Sequence, residues 1–530
     1  MAAKEAKSMK QAALLLLALC AAAQAADLDQ RRLEGRAYVY VNFAINCHDW
    51  LDPDMSSAAV RRAARLFAKH RIRADFYVTE PLAYAWAEKA PGTIEELKKL
   101  GMGLGYHHRP PHPIWFDSEH ARRILSLAPQ EAYREMERYE TWRLDLETGG
   151  LNTSVKGGYA GTAQLVGAPP LVLGAGAAAP HLVAWDREIL RKLGARMVVA
   201  YHSAGDRSYP LMWWQGMLAR PSDFSVVRVP PNSRQRAANI QVLPRGVAAG
   251  EEAGNFWWNV TDDPEAQEHA PARYLLRKVG EFPKDRLAFV TCLIHEDNWY
   301  KQGTPWDGTY FEDRGRKQPR RPPYKPEPRR MVRLRAAEEQ ARIWAWWEDL
   351  VAAAAADPRI RVVTAGDLLA LVRADGLERA YDRRTVLEAA RKIAAAGEKL
   401  PEFVAVENDA LSLGDCVQAF TRALASQKKL AVRTMLGPAR PPREPAVAMR
   451  INAASVTAAA KKLAQKLDEK GAPDALPATI DIGGRDTTLE TYLAAAARVL
   501  AGETQEFEAP APRGPGADPA RWTVKPARRR

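Results

Sequence analysis

The period of the apolar positions changes several times along the chain, and each change marks an element. Ala37-Tyr-Val-Tyr-Val-Asn-Phe-Ala-Ile45 is a β-branched and aromatic run of strand character. From Ser56 to His70 the period becomes helical: Val60, Ala63, Ala64, Phe67 and Ala68 share one face, and Ser56 or Ser57 can cap it. Ala74–Thr79 reads as a second strand, 82–90 and 93–100 as helices, and Met102–Tyr106 as a third strand. Alternating strands and helices predict a mainly parallel α/β sheet or barrel. In such folds, chemistry gathers at the carboxyl ends of the strands.

Further on, 119–146 is charged and helical in character. The Gly/Ala/Pro-rich 157–180 reads as a loop: Gly174-Ala-Gly176 only faintly echoes a dinucleotide fingerprint, with no clean strand before it and no acid at the right distance. Trp185–Leu193 is expected to be a short helix and Arg196–Tyr201 a strand, followed by irregular, aromatic-rich chain over 205–265. Arg286–Ile294 is a nearly continuous apolar run, as suits a strand buried on both faces. A basic, proline-rich loop (314–330) and a long helix (333–356) with packing tryptophans Trp344, Trp346 and Trp347 precede a closing strand (359–364) and helix (366–372).

Beyond about residue 380 the pattern repeats. Leu400-Pro-Glu-Phe-Val through Leu413 matches Leu476-Pro-Ala-Thr-Ile through Leu489 without a gap. Each copy follows an Ala/Lys-rich helix, and the segment 437–445 links the copies. The expected organisation is a barrel over 36–377, a small, mostly helical two-copy repeat domain over 380–505, and a disordered basic tail over 506–530.

Composition narrows the setting. The chain of 530 residues carries a net charge of +13. The cations are not gathered into a helix or ribbon with interleaved aromatics, so attraction to an anionic surface or polymer explains them without nucleic acid. Residues 1–26 read as a secretory signal: Lys4, Lys7 and Lys10, an apolar run Ala12–Leu19, and Ala23-Gln24-Ala25 as a small-x-small cleavage site. Cys20 leaves a lipoprotein signal as the alternative. No later run approaches the ~20 apolar residues that span a bilayer. A secreted or periplasmic, envelope-associated protein is expected.

The candidate chemistry sits at strand ends. The first strand runs into His48-Asp49, the third into His107-His108 with His112 close behind, and the strand near 290 into His295-Glu296-Asp297. One carboxylate with two imidazoles is a common ligand set for a hydrolytic divalent metal, zinc above all, that keeps a position open for water. Asp49, His107, His108 and His112 are the candidate ligands. His295 is the candidate general acid, with Asp49 and His48 as further catalytic groups. Arg109, Trp50 and Trp299, flanking these clusters, are the candidates for substrate contact.

These segments, with Lys69-His70-Arg71-Ile72-Arg73-Ala74-Asp75-Phe76-Tyr77-Val78 and Leu97 to His107, resemble the polysaccharide deacetylases with a NodB homology domain. Phe289 to His295 is similar to that family's last catalytic motif, and Val362 to Leu369 to its closing strand and helix. The resemblance implies a distorted (β/α) barrel of the glycoside hydrolase/deacetylase type. It also implies a metal held by Asp-His-His and removal of acetyl groups from N-acetylated polysaccharide or peptidoglycan. The chain departs from the family where two adjacent aspartates are replaced by His48-Asp49, and the Arg-Pro motif has no counterpart closer than Ala178-Ala179-Pro180-His181. The repeats resemble pseudomurein-binding repeats, which implies attachment to a cell-wall polymer through 380–505. A glycosidase of the same barrel superfamily, using Glu296 or Asp297, and an inactive carbohydrate-binding envelope protein are the alternatives.

Overall fold

The computed structural model describes residues 39–109, 112, 119–174, 180–200, 212–214, 217–221, 240–243, 257–259, 271–281, 288–301, 307–312, 318–327, 332–370, 379–397, 399–406, 409–438, 448–468, 475–515 and 519–526. The signal segment 1–26 lies outside them.

β1 (Val39–Cys47) is buried along its whole length, because it lies inside the sheet and has packed layers on both faces. Val41, Phe43, Ile45 and Cys47 point into one core, where they meet Val60, Ala63 and Phe67 of helix α1 (Pro53–Lys69) and Trp347 of a later helix (Ala337–Ala356). Tyr40 and Ala44, on the other face, join Tyr77, Val172, Met197, Trp213, Leu218 and Leu293 in the barrel interior. Asn42, Asn46 and His48 continue that inward parity.

The chain then alternates strand and helix: β2 (Asp75–Val78), α2 (Glu80–Lys89), α3 (Thr93–Lys99), β3 (Gly103–His107), α4 (Glu119–Ser126), α5 (Pro129–Tyr139), a hairpin β4 (Trp142–Leu144) and β5 (Leu151–Lys156), α6 (Gly158–Val166), β6 (Val172–Gly174), α7 (Pro180–Leu193) and β7 (Met197–Ala200). Strands β8 (Met212–Trp214), β9 (Met217–Pro221), β10 (Ile240–Leu243), β11 (Trp257–Asn259) and β12 (Ala288–His295) complete the sheet, with β13 (Ile360–Val362) pairing beside the start of β1. The order is β11-β10-β12-β1-β2-β3-β6-β7-β9-β8, parallel from β11 to β9. This is the α/β, distorted (β/α) barrel arrangement. β8 is antiparallel, and the terminal strand Lys525–Pro526 pairs with it.

The structure corrects three readings. Residues 157–180 are not all loop: α6 and β6 lie there. The glycines are needed because α6 starts against the backbone of residues 139–143, where a Cβ on Gly157 would fall 2.2 Å from Arg143 Cα. Within 205–265, expected to be irregular, the described residues form strands. The tail is not featureless, since Glu506–Ala509 is a strand, Pro519–Thr523 a 3-10 turn, and Trp522 is fully buried.

Residues 379–522 build their own core. Each copy of the repeat is a strand, a helix, a hairpin, a helix and a strand. The outer strands pair with each other, Arg379–Tyr381 with Leu430–Val432 and Met449–Asn452 with Glu506–Ala509. The hairpins are Phe403–Val406 with Asp409–Ser412 and Thr479–Ile482 with Arg485–Thr488. Cys47, Cys292 and Cys416 are free and buried. No helix of the described residues is long and apolar enough to cross a membrane.

Candidate active site

β12 and β1 are neighbours and β3 lies beyond β2 in the same sheet, and two clusters of ligand-type groups gather near their carboxyl ends, one completed by Glu140 at the end of α5 and Asp186 in α7. In β3 a Cβ on Gly105 would meet Tyr77 and Val172 in the barrel interior, whereas Tyr106 packs outward on Tyr159 and Leu190. By alternation His107 faces inward, and its ring centre lies 6.1 Å from that of His48. His108 turns outward, edge-on to Tyr106 at 4.8 Å. The consecutive histidines therefore part: His108 joins a cluster of ligand-type groups, whereas His107, also expected as a ligand, belongs to neither cluster.

The outer cluster is His108, His112, Glu140 and Asp186, whose ligand atoms all lie within 4.8 Å of one another. Glu140 Oε1 is 3.0 Å from His108 Nε2 and 2.6 Å from His112 Nε2, and Asp186 Oδ2 is 3.7 Å from His108 Nδ1. The two imidazoles stack with centres 3.9 Å apart. Glu140 caps the end of α5, and its Oε2 accepts the Tyr159 N–H at 3.0 Å, so α6 fixes the carboxylate. Burial, with His112 alongside, lowers His108 to about 3, which leaves its ring neutral near pH 7. Burial alone would raise Glu140, but the two facing imidazoles hold it well below the usual carboxylate range. Burial and the neighbouring Glu140 raise Asp186, and neither of its oxygens accepts a hydrogen bond from a described residue. Two neutral-capable imidazoles and two crowded carboxylates form a donor set that fits a divalent transition ion.

The inner cluster is His48, His295 and Asp297. His48 Nε2 lies 2.7 Å from His295 Nδ1 and 3.6 Å from Asp297 Oδ1. Asn46 Nδ2 is 3.4 Å from His295 Nε2. His295 is half-buried at the mouth, while His48 and Asp297 are almost fully buried behind it. Burial and the charges of Glu296 and Asp49 push Asp297 well above the carboxylate range.

Two neighbouring groups set this cluster in place. Glu296 Oε1 accepts the backbone N–H groups of both His48 and Asp49 at 2.6 Å, which fixes the end of β1. Burial and Asp49 raise Glu296 to about 8. Asp49 joins neither cluster: its Oδ2 takes Lys301 Nζ at 2.6 Å and the Tyr300 hydroxyl at 2.8 Å. A buried ammonium thus occupies the carboxylate expected to bind the metal.

The other candidates separate in the same way. Trp299 is fully buried and stacked on Trp344 at 4.5 Å, so it belongs to the core and offers no face to a substrate. Trp50 is half-buried and lines a cavity beside the mouth. Arg109 is half-buried just past β3, its carbonyl accepting the His112 N–H at 3.0 Å. Glu140 and Asp186 were absent from the sequence reading. Asp186 had one faint signal, an acid amid the apolar Leu182, Val183, Ala184, Trp185 and Ile189.

No family model matches the chain, and no curated protein matches it. Among solved structures the chain is similar to 4-alpha-glucanotransferase from Thermococcus litoralis (TM-score 0.33, 13% identity, covering 63% of this chain and 40% of that one). It is also similar to a protein described as a polysaccharide deacetylase from Mycobacterium smegmatis (0.30, 10%, 63% and 90%). A third is peptidoglycan deacetylase PdaC from Bacillus subtilis (0.18, 14%, 29% and 56%). The match thus spans less than half of the glucanotransferase. Likenesses this distant carry over neither a residue nor an activity.

Proposed function

We propose that the chain is an exported, metal-dependent hydrolase that removes acetyl groups from an N-acetylated sugar polymer and is held at the cell envelope by its C-terminal repeats. The observation that carries the reading is the presence of two clusters of buried imidazoles and carboxylates near the carboxyl ends of one parallel sheet, His108-His112-Glu140-Asp186 and His48-His295-Asp297. His108, His112, Glu140 and Asp186 would hold the ion, most suitably zinc. When bound, such an ion polarises an amide carbonyl and lowers the pKa of water at its open position. Hydrolysis consumes one water: the C–N bond breaks, acetate leaves with the water's oxygen, and the departing amine needs a proton. His295, at the mouth and backed by His48 and Asp297, is placed to give it.

The glycosidase reading asks for a pair of carboxyl groups flanking a bond. Glu296 is instead committed to the backbone of residues 48 and 49, which counts against it. Purified protein is expected to contain about one equivalent of a divalent transition metal and to release acetate from acetylated chito-oligomers. His108→Ala should abolish both, and His295→Ala the release alone. Full activity in His295→Ala would remove the proposed acid. Residues 380–505 should account for retention on purified cell wall, and loss of retention on deleting them is the check.

A further inference from the structure

A cavity of about 470 Å³ lies beside the ends of β1 and β2, within the roughly 300–1,000 Å³ usual for small-molecule sites. One wall is Trp50, which directly follows the His48-Asp49 pair. Glu80, the first residue of α2, and Arg143 and Asn152 from the β4–β5 hairpin share the lining. Glu80 is 8% exposed, and its Oε1 is buried with no hydrogen-bond partner among the described residues, so this lining carboxyl is held with an unsatisfied oxygen. The Arg143 guanidinium is stacked 4.0 Å over the Tyr84 ring, which holds its donors in place. An aromatic ring sharing a cavity with a carboxyl, an amide and a guanidinium suits a pyranose, which has an apolar ring face and polar hydroxyls at its edge.

We propose that this cavity is a saccharide subsite, in which Trp50 stacks on a pyranose ring while Glu80, Arg143 and Asn152 bind its hydroxyl or acetamido groups. It holds a ring next to the one that reacts at the mouth, and in that respect it rests on the reading given under Proposed function. Its occupant is uncharged sugar: the acids Glu80, Glu88, Asp145 and Glu147 outnumber the bases Lys89 and Arg143 in the lining, which disfavours an anion.

The test is calorimetric binding of chitotetraose to the full-length protein, which requires no turnover. Wild type is expected to bind, and Glu80→Gln and Trp50→Ala each to bind at least tenfold more weakly in the folded fraction, since Trp50 also packs on the core and Tyr310. Trp50→Phe should restore most of the affinity, which separates stacking from a folding defect. Wild-type-like affinity in both variants, or no binding by wild type, would overturn the subsite. If acetate is released while the variants bind normally, the subsite fails and the hydrolase reading survives. If binding depends on Trp50 and Glu80 but no acetate appears, the reverse holds.

Discussion

His107 and His108 are adjacent in sequence, yet strand alternation sends them to opposite faces. Only His108 reaches the carboxylates of Glu140 and Asp186, while His107 looks toward His48. The value of Glu140 lies in its position between two imidazoles, and Glu140→Gln should lower bound metal at least tenfold by elemental analysis while leaving a folded protein. His120 is buried against the Tyr139 and Tyr324 hydroxyls, next to the metal-ligand cluster but outside it. Burial, with Arg123 nearby, lowers it to about 4 from 6.5. Between those values the unfolded chain binds the proton and the folded chain does not, so stability falls as pH drops through that window. The contribution is on the order of 3 kcal/mol. In His120→Gln, urea midpoints at pH 7 and pH 4 should lie closer together than in wild type. Trp299→Ala should cost about 3–5 kcal/mol of stability, as a core deletion does, with chitotetraose affinity unchanged in the folded fraction. The three histidine-bearing strand ends were legible because continuous apolar runs stop at polar residues. Glu140 was not, because it is one of several acids in a helix whose spacing also describes a solvated face.

Elements place these residues through close backbone approach. α6 begins at Gly158, whose φ is +51° and whose Cβ would lie 2.3 Å from Tyr139 O and 2.7 Å from Glu140 Cα. Only glycine tolerates both conditions at little cost, and the helix it starts donates the Tyr159 N–H to Glu140. Gly158→Ala should therefore destabilise by about 1–3 kcal/mol and weaken metal retention together, read by thermal unfolding and elemental analysis. The same glycines made 157–180 look like loop. Composition reports chain freedom, whereas here it serves tight packing against residues 139–143. By contrast β1 and α1 were readable almost to their ends, since β1 is a nearly continuous β-branched and aromatic run buried throughout and the apolar face of α1 recurs with the helical period.

At the scale of the molecule, the repeat domain and barrel are joined by the last residues. Trp522 fills space that a Cβ on Gly437 would invade, Lys525 Nζ meets Asp415 Oδ2 at 2.7 Å, and Lys525–Pro526 adds to β8. The repeat itself showed in the gapless Leu-Pro spacing. The clamp did not, because its partners Gly414, Asp415 and Gly437 lie far away in sequence, and a Pro/Gly/Arg-rich tail looks disordered. Ending the chain at residue 515 should lower the unfolding temperature and expose the junction to proteolysis, measured by calorimetry and limited digestion. The metal and the chemistry meet in one assay: acetate released from N-acetylated chito-oligomers by the full-length protein, before chelation, after it, and after zinc is restored. Release that stops on chelation and returns with zinc is the expected result. No release, or release indifferent to chelation, would contradict a metal-dependent deacetylating hydrolase.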